Sequence, residues 1–179
     1  MNRITVLVLI AFALAPGSSL AQSQQPYGGL EARSIKALSD QQIADLRAGR
    51  GMGLALAAEL NGYPGPMHVL ELADALGLSD QQRTKVQEQF AGMKAEALPF
   101  GDKLIAEEAG LNHLFANKTI SPASLAASTV AIGTTHAALR ETHLKYHLFT
   151  VEVLTPAQVQ RYGELRGYEA GMQNVHGRH

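Results

Sequence analysis

From about residue 38 onward the apolar side chains recur at intervals of three and four rather than two. The clearest run is Val86, Phe90, Met93, Ala97, Phe100, Leu104, Leu111 and Leu114, a single stripe along a helix more than eight turns long. Alternating segments of useful length, and the Asn-Gly or Asp-Gly turns that would join them, are missing from the chain. The pattern predicts an all-α protein.

A repeated start signal divides the chain. Leu38-Ser39-Asp40-Gln41-Gln42, Leu78-Ser79-Asp80-Gln81-Gln82 and Leu154-Thr155-Pro156-Ala157-Gln158 each place a hydroxyl residue three positions before a glutamine. The hydroxyl accepts from the backbone N–H of the third helical residue, and the glutamine reaches back to the backbone N–H of the cap. The leucine before the cap is placed to pack on the fourth helical residue, which is Ile43, Arg83 or Val159. A fourth start, Ile120-Ser121-Pro122, lacks the glutamine and pairs Ile120 with Leu125.

These signals predict helices over residues 39–60, 67–76, 79–116, 121–153 and from Thr155 to about Gly167, with Pro99 a kink point in the third. The two long helices are joined by a short turn at Asn117-Lys118-Thr119, which makes a long antiparallel hairpin with shorter flanking helices. A turn centred near Thr119 pairs positions whose numbers sum to roughly 238. Two helices enclose little interior, so the shorter helices or a second subunit are expected to cover the rest.

The start of the chain has a different pattern. Met1-Asn2-Arg3 is followed by an apolar run at residues 4–15, too short to span a bilayer, and then by Pro16-Gly17 and Ser19-Leu20-Ala21. This reads as a signal peptide over residues 1–21, with export to the periplasm. Residues 22–37 form a flexible lead-in, 38–168 the helical domain and 169–179 a frayed tail. With 46% hydrophobic and 17% charged residues the composition is globular, and with no cysteine neither a disulfide nor a thiolate site can form. Removal of residues 1–21 takes Arg3 and no acid, leaving 14 Lys and Arg against 16 Asp and Glu, a net charge of −2. Such a charge does not suit a nucleic-acid partner.

The exported, cysteine-free helical chain with Leu-Ser/Thr-x-x-Gln at its helix starts resembles the periplasmic Spy/CpxP family, which includes heavy-metal proteins of the CnrX and ZraP type. Leu78 to Gln82 and Leu154 to Gln158 match the family's two motif copies, and Leu38 to Gln42 is an additional one. The resemblance implies a cradle-like homodimer. It implies an ATP-independent chaperone for unfolded or misfolded envelope proteins, with a sensor kinase or anti-sigma system as regulatory partner. Metal-sensing members bind zinc, copper, nickel or cobalt through His, Glu and Met, which makes heavy-metal sensing or buffering the alternative function. The net charge of −2 departs from the basic cradle of the chaperones; Arg33, Lys36, Arg47 and Arg50, or Arg83 and Lys85, are either local basic patches or solvated helix faces.

The candidate metal ligands are His136, His143 and His147, which fall within about 40° of one another on the predicted helix over 121–153. His143-Leu-Lys-Tyr-His147 is similar to the pair that metal-sensing relatives carry before the last motif. The hairpin register adds Glu96 beside His143 and Asp102 beside His136. The alternative is a strip of half-buried or surface imidazoles without a metal. His68 and Glu71 form a second one-turn pair, and His176 and His179 lie in the tail. Glu107, inside the apolar stripe, is expected to be solvated near the turn. Gly49-Arg50-Gly51-Met52-Gly53 follows no strand and lacks a Gly-Lys-Ser/Thr sequence, so it reads as a loosened or closely packed helical segment. Met52, Met67 and Met93 are candidate adaptable contacts for clients. No catalytic constellation is present, and the chain does not read as an enzyme.

Overall fold

The computed structural model describes residues 27–168. The cleavage site at Ala21, the start of the lead-in and the tail from residue 169 lie outside them. Among the described residues a 3-10 turn at Leu30–Ala32 precedes six α-helices: α1 (Asp40–Arg47), α2 (Leu56–Glu59), α3 (Pro66–Glu71), α4 (Asp80–Ala116), α5 (Pro122–Val153) and α6 (Pro156–Arg166). No strand occurs among them. The predicted all-α hairpin is the frame of the molecule: α4 and α5 lie antiparallel along each other, α1 and α3 pack on α4, and α2 and α3 on α5.

All three predicted capping boxes form, at Ser39, Ser79 and Thr155. A fourth forms at Ser121 without a glutamine, because the short Ser124 side chain reaches the cap's backbone N–H. Each cap contributes about 1 kcal/mol. Two of the expected leucine staples pack within the cores, Leu38 with Ile43 and Leu154 with Val159. In the second copy Arg83 turns away to pair with Asp74 at 2.6 Å.

The motif glutamines do more than cap. Gln82 and Gln158 form a reciprocal amide pair, with Gln82 Nε2 donating to Gln158 Oε1 at 2.8 Å and Gln158 Nε2 donating to Gln82 Oε1 at 3.1 Å. Each oxygen also accepts its own cap N–H, at Ser79 and Thr155. Gln82 further donates to the Val153 carbonyl at 2.9 Å. This clasp joins the starts of α4 and α6 and needs an amide, since glutamate caps equally well but has no N–H to donate. In a double-mutant cycle of Gln82→Ala and Gln158→Ala, a coupling of about 1 kcal/mol in urea unfolding is expected. Additive losses would show that the clasp carries nothing.

Two apolar cores flank the hairpin. The first unites Ile35, Leu38, Leu46, Ala97, Leu104, Ile105 and Leu139; the second unites Val69, Ala73, Leu76, Leu78, Val86, Leu154 and Tyr162. Within the lead-in Ile35 is buried in the first core, and Asn112 on α4 bridges Lys36 N–H and the Ser34 carbonyl. Burying one isoleucine contributes about 2 kcal/mol, which anchors the lead-in at that point.

The helix predicted over 39–60 is two helices. It breaks because Gly49 (φ 65°), Met52 (φ 43°) and Gly53 (φ 82°) adopt left-handed backbone, and Gly49 lies against the α4 backbone at Lys94. The helix predicted over 67–76 stops at Glu71, and the chain turns to Gly77 (φ 61°). Helix α4 runs unbroken through Pro99, which lies on its exposed face beside exposed Ala95, so the carbonyl that loses its partner can turn to water. The α4 stripe is buried at Val86, Met93, Ala97 and Leu104 but only half-buried at Leu111 and Leu114, beyond the reach of the flanking helices.

Candidate functional site

The buried stripe of α5 reads Thr135, Leu139, Thr142 with His143, Tyr146 with His147, and Thr150, and Leu154 follows at its C-cap. Leu139 belongs to the first core and Leu154 to the second. The roughly four turns between them are polar, forming a waist between the two cores.

His143 is 2% exposed. Its ring lies flat against the 48–53 turn, where a Cβ on Gly51 would meet Nδ1 at 3.4 Å. Its Nε2 is buried without a hydrogen-bond partner. Burial, and then the neighbouring His147, hold its pKa below the ordinary histidine value.

His147 points elsewhere. Its Nδ1 lies 2.6 Å from the Tyr63 carbonyl oxygen. A carbonyl only accepts, so Nδ1 carries the proton. The Glu59 carboxylate is 3.7 Å from the same nitrogen. Gly65 packs on the ring so closely that a Cβ there would lie 2.7 Å from Cε1.

Glu59, at the end of α2, is the centre of the waist. It is buried, and its Oε1 accepts from the Tyr162 hydroxyl and, at 2.8 Å, from Tyr168. Its Oε2 accepts the Gly65 N–H at 3.2 Å. Arg166 Nε lies 3.8 Å from Oε1. Burial and then the carboxylate push the Tyr162 phenol well above its ordinary pKa. The cluster ties α6 to α2 and, through Gly65 and His147, to α5. An open cavity of about 480 Å³ adjoins it, with Leu60, Val151, Val159 and Tyr168 among its walls. Both oxygens of Glu59 are engaged, and the arrangement holds these elements together as a clamp.

The four sequence-predicted ligands are not gathered into one site. His143 and His147 are neighbours on α5 with their nitrogens committed to different surroundings. His136 is exposed, because the inward position of that turn belongs to Thr135. Glu96 meets Lys145 and accepts from the Tyr146 hydroxyl at 2.7 Å. Those two contacts hold its pKa below the usual carboxylate value, and Tyr146 is pushed up to about 12, chiefly by burial. The predicted register is nevertheless close: Gln89 reaches Phe149 and Thr150, and Gly92 lies against Tyr146. Asp102 is exposed. Among the described residues no three His, Asp or Glu converge on a metal-sized space.

The chain matches no family model, no curated protein and no solved structure.

The remaining candidates are settled by position. His68 pairs with Glu71 at 3.0 Å on α3. Glu107 is only partly solvated: it faces Lys103 at 3.7 Å, while its Oε2 is buried without a partner. Arg50 pairs with Asp45 at 2.6 Å, so two of the candidate basic groups, Arg50 and Arg83, are neutralised locally. Met52 and Met67 are exposed, whereas Met93 is buried in the hairpin seam and is unavailable to a client.

Two features escaped the motif reading. Glu59 is a lone acid in Leu54-Ala55-Leu56-Ala57-Ala58-Glu59-Leu60, and an acid embedded in an apolar run is the signal that could have found it. The second is the outer arm of the hairpin. From Thr119 to Leu139 there is no Asp, Glu, Lys or Arg, and this arm exposes Leu125 and Val130, the latter 68% accessible, with Phe115 at the end of α4.

Proposed function

We propose that this is an exported, ATP-independent chaperone that holds unfolding envelope proteins. The observation that carries the reading is the uncharged stretch from Thr119 to Leu139, where Leu125 and Val130 are exposed on α5, with Phe115 exposed at the end of α4. Unfolded chains differ from folded ones in offering apolar side chains continuously, and an uncharged helix surface with exposed apolar side chains meets them without desolvating charge. The exposed Met52 and Met67 add adaptable contacts near the base. The three Leu-Ser/Thr-x-x-Gln starts, and the apolar run that reads as an export signal, support placing the protein beside the Spy/CpxP chaperones. A homodimer and a sensor-kinase or anti-sigma partner belong to the same proposal. Among the described residues no three His, Asp or Glu converge, so no geometry there adds support to the metal-buffering alternative.

Purified protein at equimolar ratio, without nucleotide, is expected to suppress light scattering from a denatured model protein diluted into buffer. Val130→Asp, which places a charge at the most exposed apolar position of the arm, is expected to lose most of that effect while keeping the helical circular dichroism. Scattering that is unchanged by wild type would count against the proposal.

A further inference from the structure

Among the described residues, His143 is the buried imidazole with a ring nitrogen, Nε2, that has no hydrogen-bond partner. Gly51, in the turn that joins α1 to α2, packs against it. We propose that His143 is a proton-operated latch: neutral, it seats the 48–53 turn on α5; protonated, it expels that turn and uncovers the apolar seam around Leu54 and Leu139.

The groups facing it make protonation costly in the closed form. From its own helix the nearest titratable group is His147, one turn on, which adds repulsion. From the covering turn comes the Gly51 backbone, while the neighbouring Arg50 is drawn away to Asp45 at 2.6 Å. From α4, Glu96 is held by Lys145 and Tyr146, and Lys94 lies against Gly49 and stacks on the Phe90 ring. Glu59 is 3.7 Å from His147 and forms no ion pair with His143. Among the described residues no carboxylate lies within 4.0 Å of the His143 ring nitrogens. An imidazolium there would be buried and unpaired, so the open form, in which water reaches the ring, gains on acidification.

The cover is also the part of the fold most easily lifted. Met52 holds a left-handed backbone (φ 43°), which strains a residue with a Cβ, and α2 has only four residues. Leu54 packs on the first core only from the outside. Lifting the turn therefore exposes Leu54 and its partners without unfolding the hairpin. The sign follows from the lowered pKa: the open state binds the proton more readily. Closure is complete above the unperturbed histidine pKa of about 6.5 and is lost as pH falls below it.

Hydrogen exchange of the full chain, read by mass spectrometry at pH 7.5 and 5.0 and corrected for intrinsic rates, tests this. Amides of residues 50–60 are expected to lose protection about tenfold or more at pH 5.0, as local opening becomes favourable. Amides around Val86 and Ala97 are expected to stay protected. In His143→Gln, which cannot take the proton, the 50–60 amides are expected to exchange alike at both pH values. Unchanged protection in wild type, or an acid loss that persists in His143→Gln and disappears in His147→Gln, would overturn the assignment. Should His143→Gln not fold, the wild-type His143 ring can be titrated by NMR. Protonation of that ring with residues 50–60 still protected would overturn it equally. These readouts need no client, so their failure is distinct from failure of the chaperone reading.

Discussion

Glu59→Ala is expected to destabilise the protein by about 3 kcal/mol or more in urea unfolding. The change removes the acceptor for two phenols and one backbone N–H at once, and each orphaned buried donor costs about 1–3 kcal/mol. Water entering by the adjoining cavity can re-pair Tyr168, which is half-buried, but Tyr162 is only 2% exposed and stays unpaired. Glu59→Gln keeps one carbonyl oxygen and removes the charge, so about half of the loss is expected to be recovered. Tyr162→Phe and Glu59→Ala are expected to be strongly non-additive, because both break the same bond. A loss below about 1 kcal/mol for Glu59→Ala would show that α6 is held by the second apolar core alone.

Gly101→Ala and Gly110→Ala are expected to move stability in opposite directions, although both sit inside α4. Alanine improves helix propensity by about 0.5–1 kcal/mol at either site. At Gly110 nothing lies within 4 Å of the new methyl, so the gain is realised. At Gly101 the methyl would sit 2.5 Å from the Leu46 carbonyl oxygen. That contact is backbone on both sides and cannot be relieved by a rotamer, so α1 must move away from the hairpin. Overpacking of this kind costs about 1–3 kcal/mol, which exceeds the propensity gain. Midpoints in urea read the difference directly, and two variants with the same sign would refute the close approach of α1 to α4.

How much of this could be read from residues alone follows from the range of each interaction. Capping boxes are local, spanning three residues, and Ser39, Ser79 and Thr155 announced them. The hairpin followed from the length of the α4 stripe and the short turn at Asn117–Thr119, and its register came within a turn of the contacts that Gln89 and Glu96 make. What was hidden depends on partners far along the chain. The break near Gly49 arises because α4 approaches it, and helix periodicity before and after the break gave no sign of that. Glu59 meets Tyr162 across 103 positions. Ile35 was hidden among polar neighbours. The histidines were found, but spacing on one helix could not tell that His143 faces Gly51, that His147 faces the Tyr63 carbonyl, or that Thr135 takes the inward place beside His136. The role of Gln82 was half legible: the cap was local, the clasp to Gln158 was not.

The central claim is that the uncharged outer arm of the hairpin is where an unfolded chain is held. A photo-crosslinking residue placed at Val130, with a second placed at Lys103 on the charged face of α4 as control, measures this most directly. With a denatured model protein present during refolding, cross-links are expected at 130, few at 103, and none at either position with the same protein already folded. Cross-links that are absent at 130, or equally frequent with folded protein or at 103, would contradict the account.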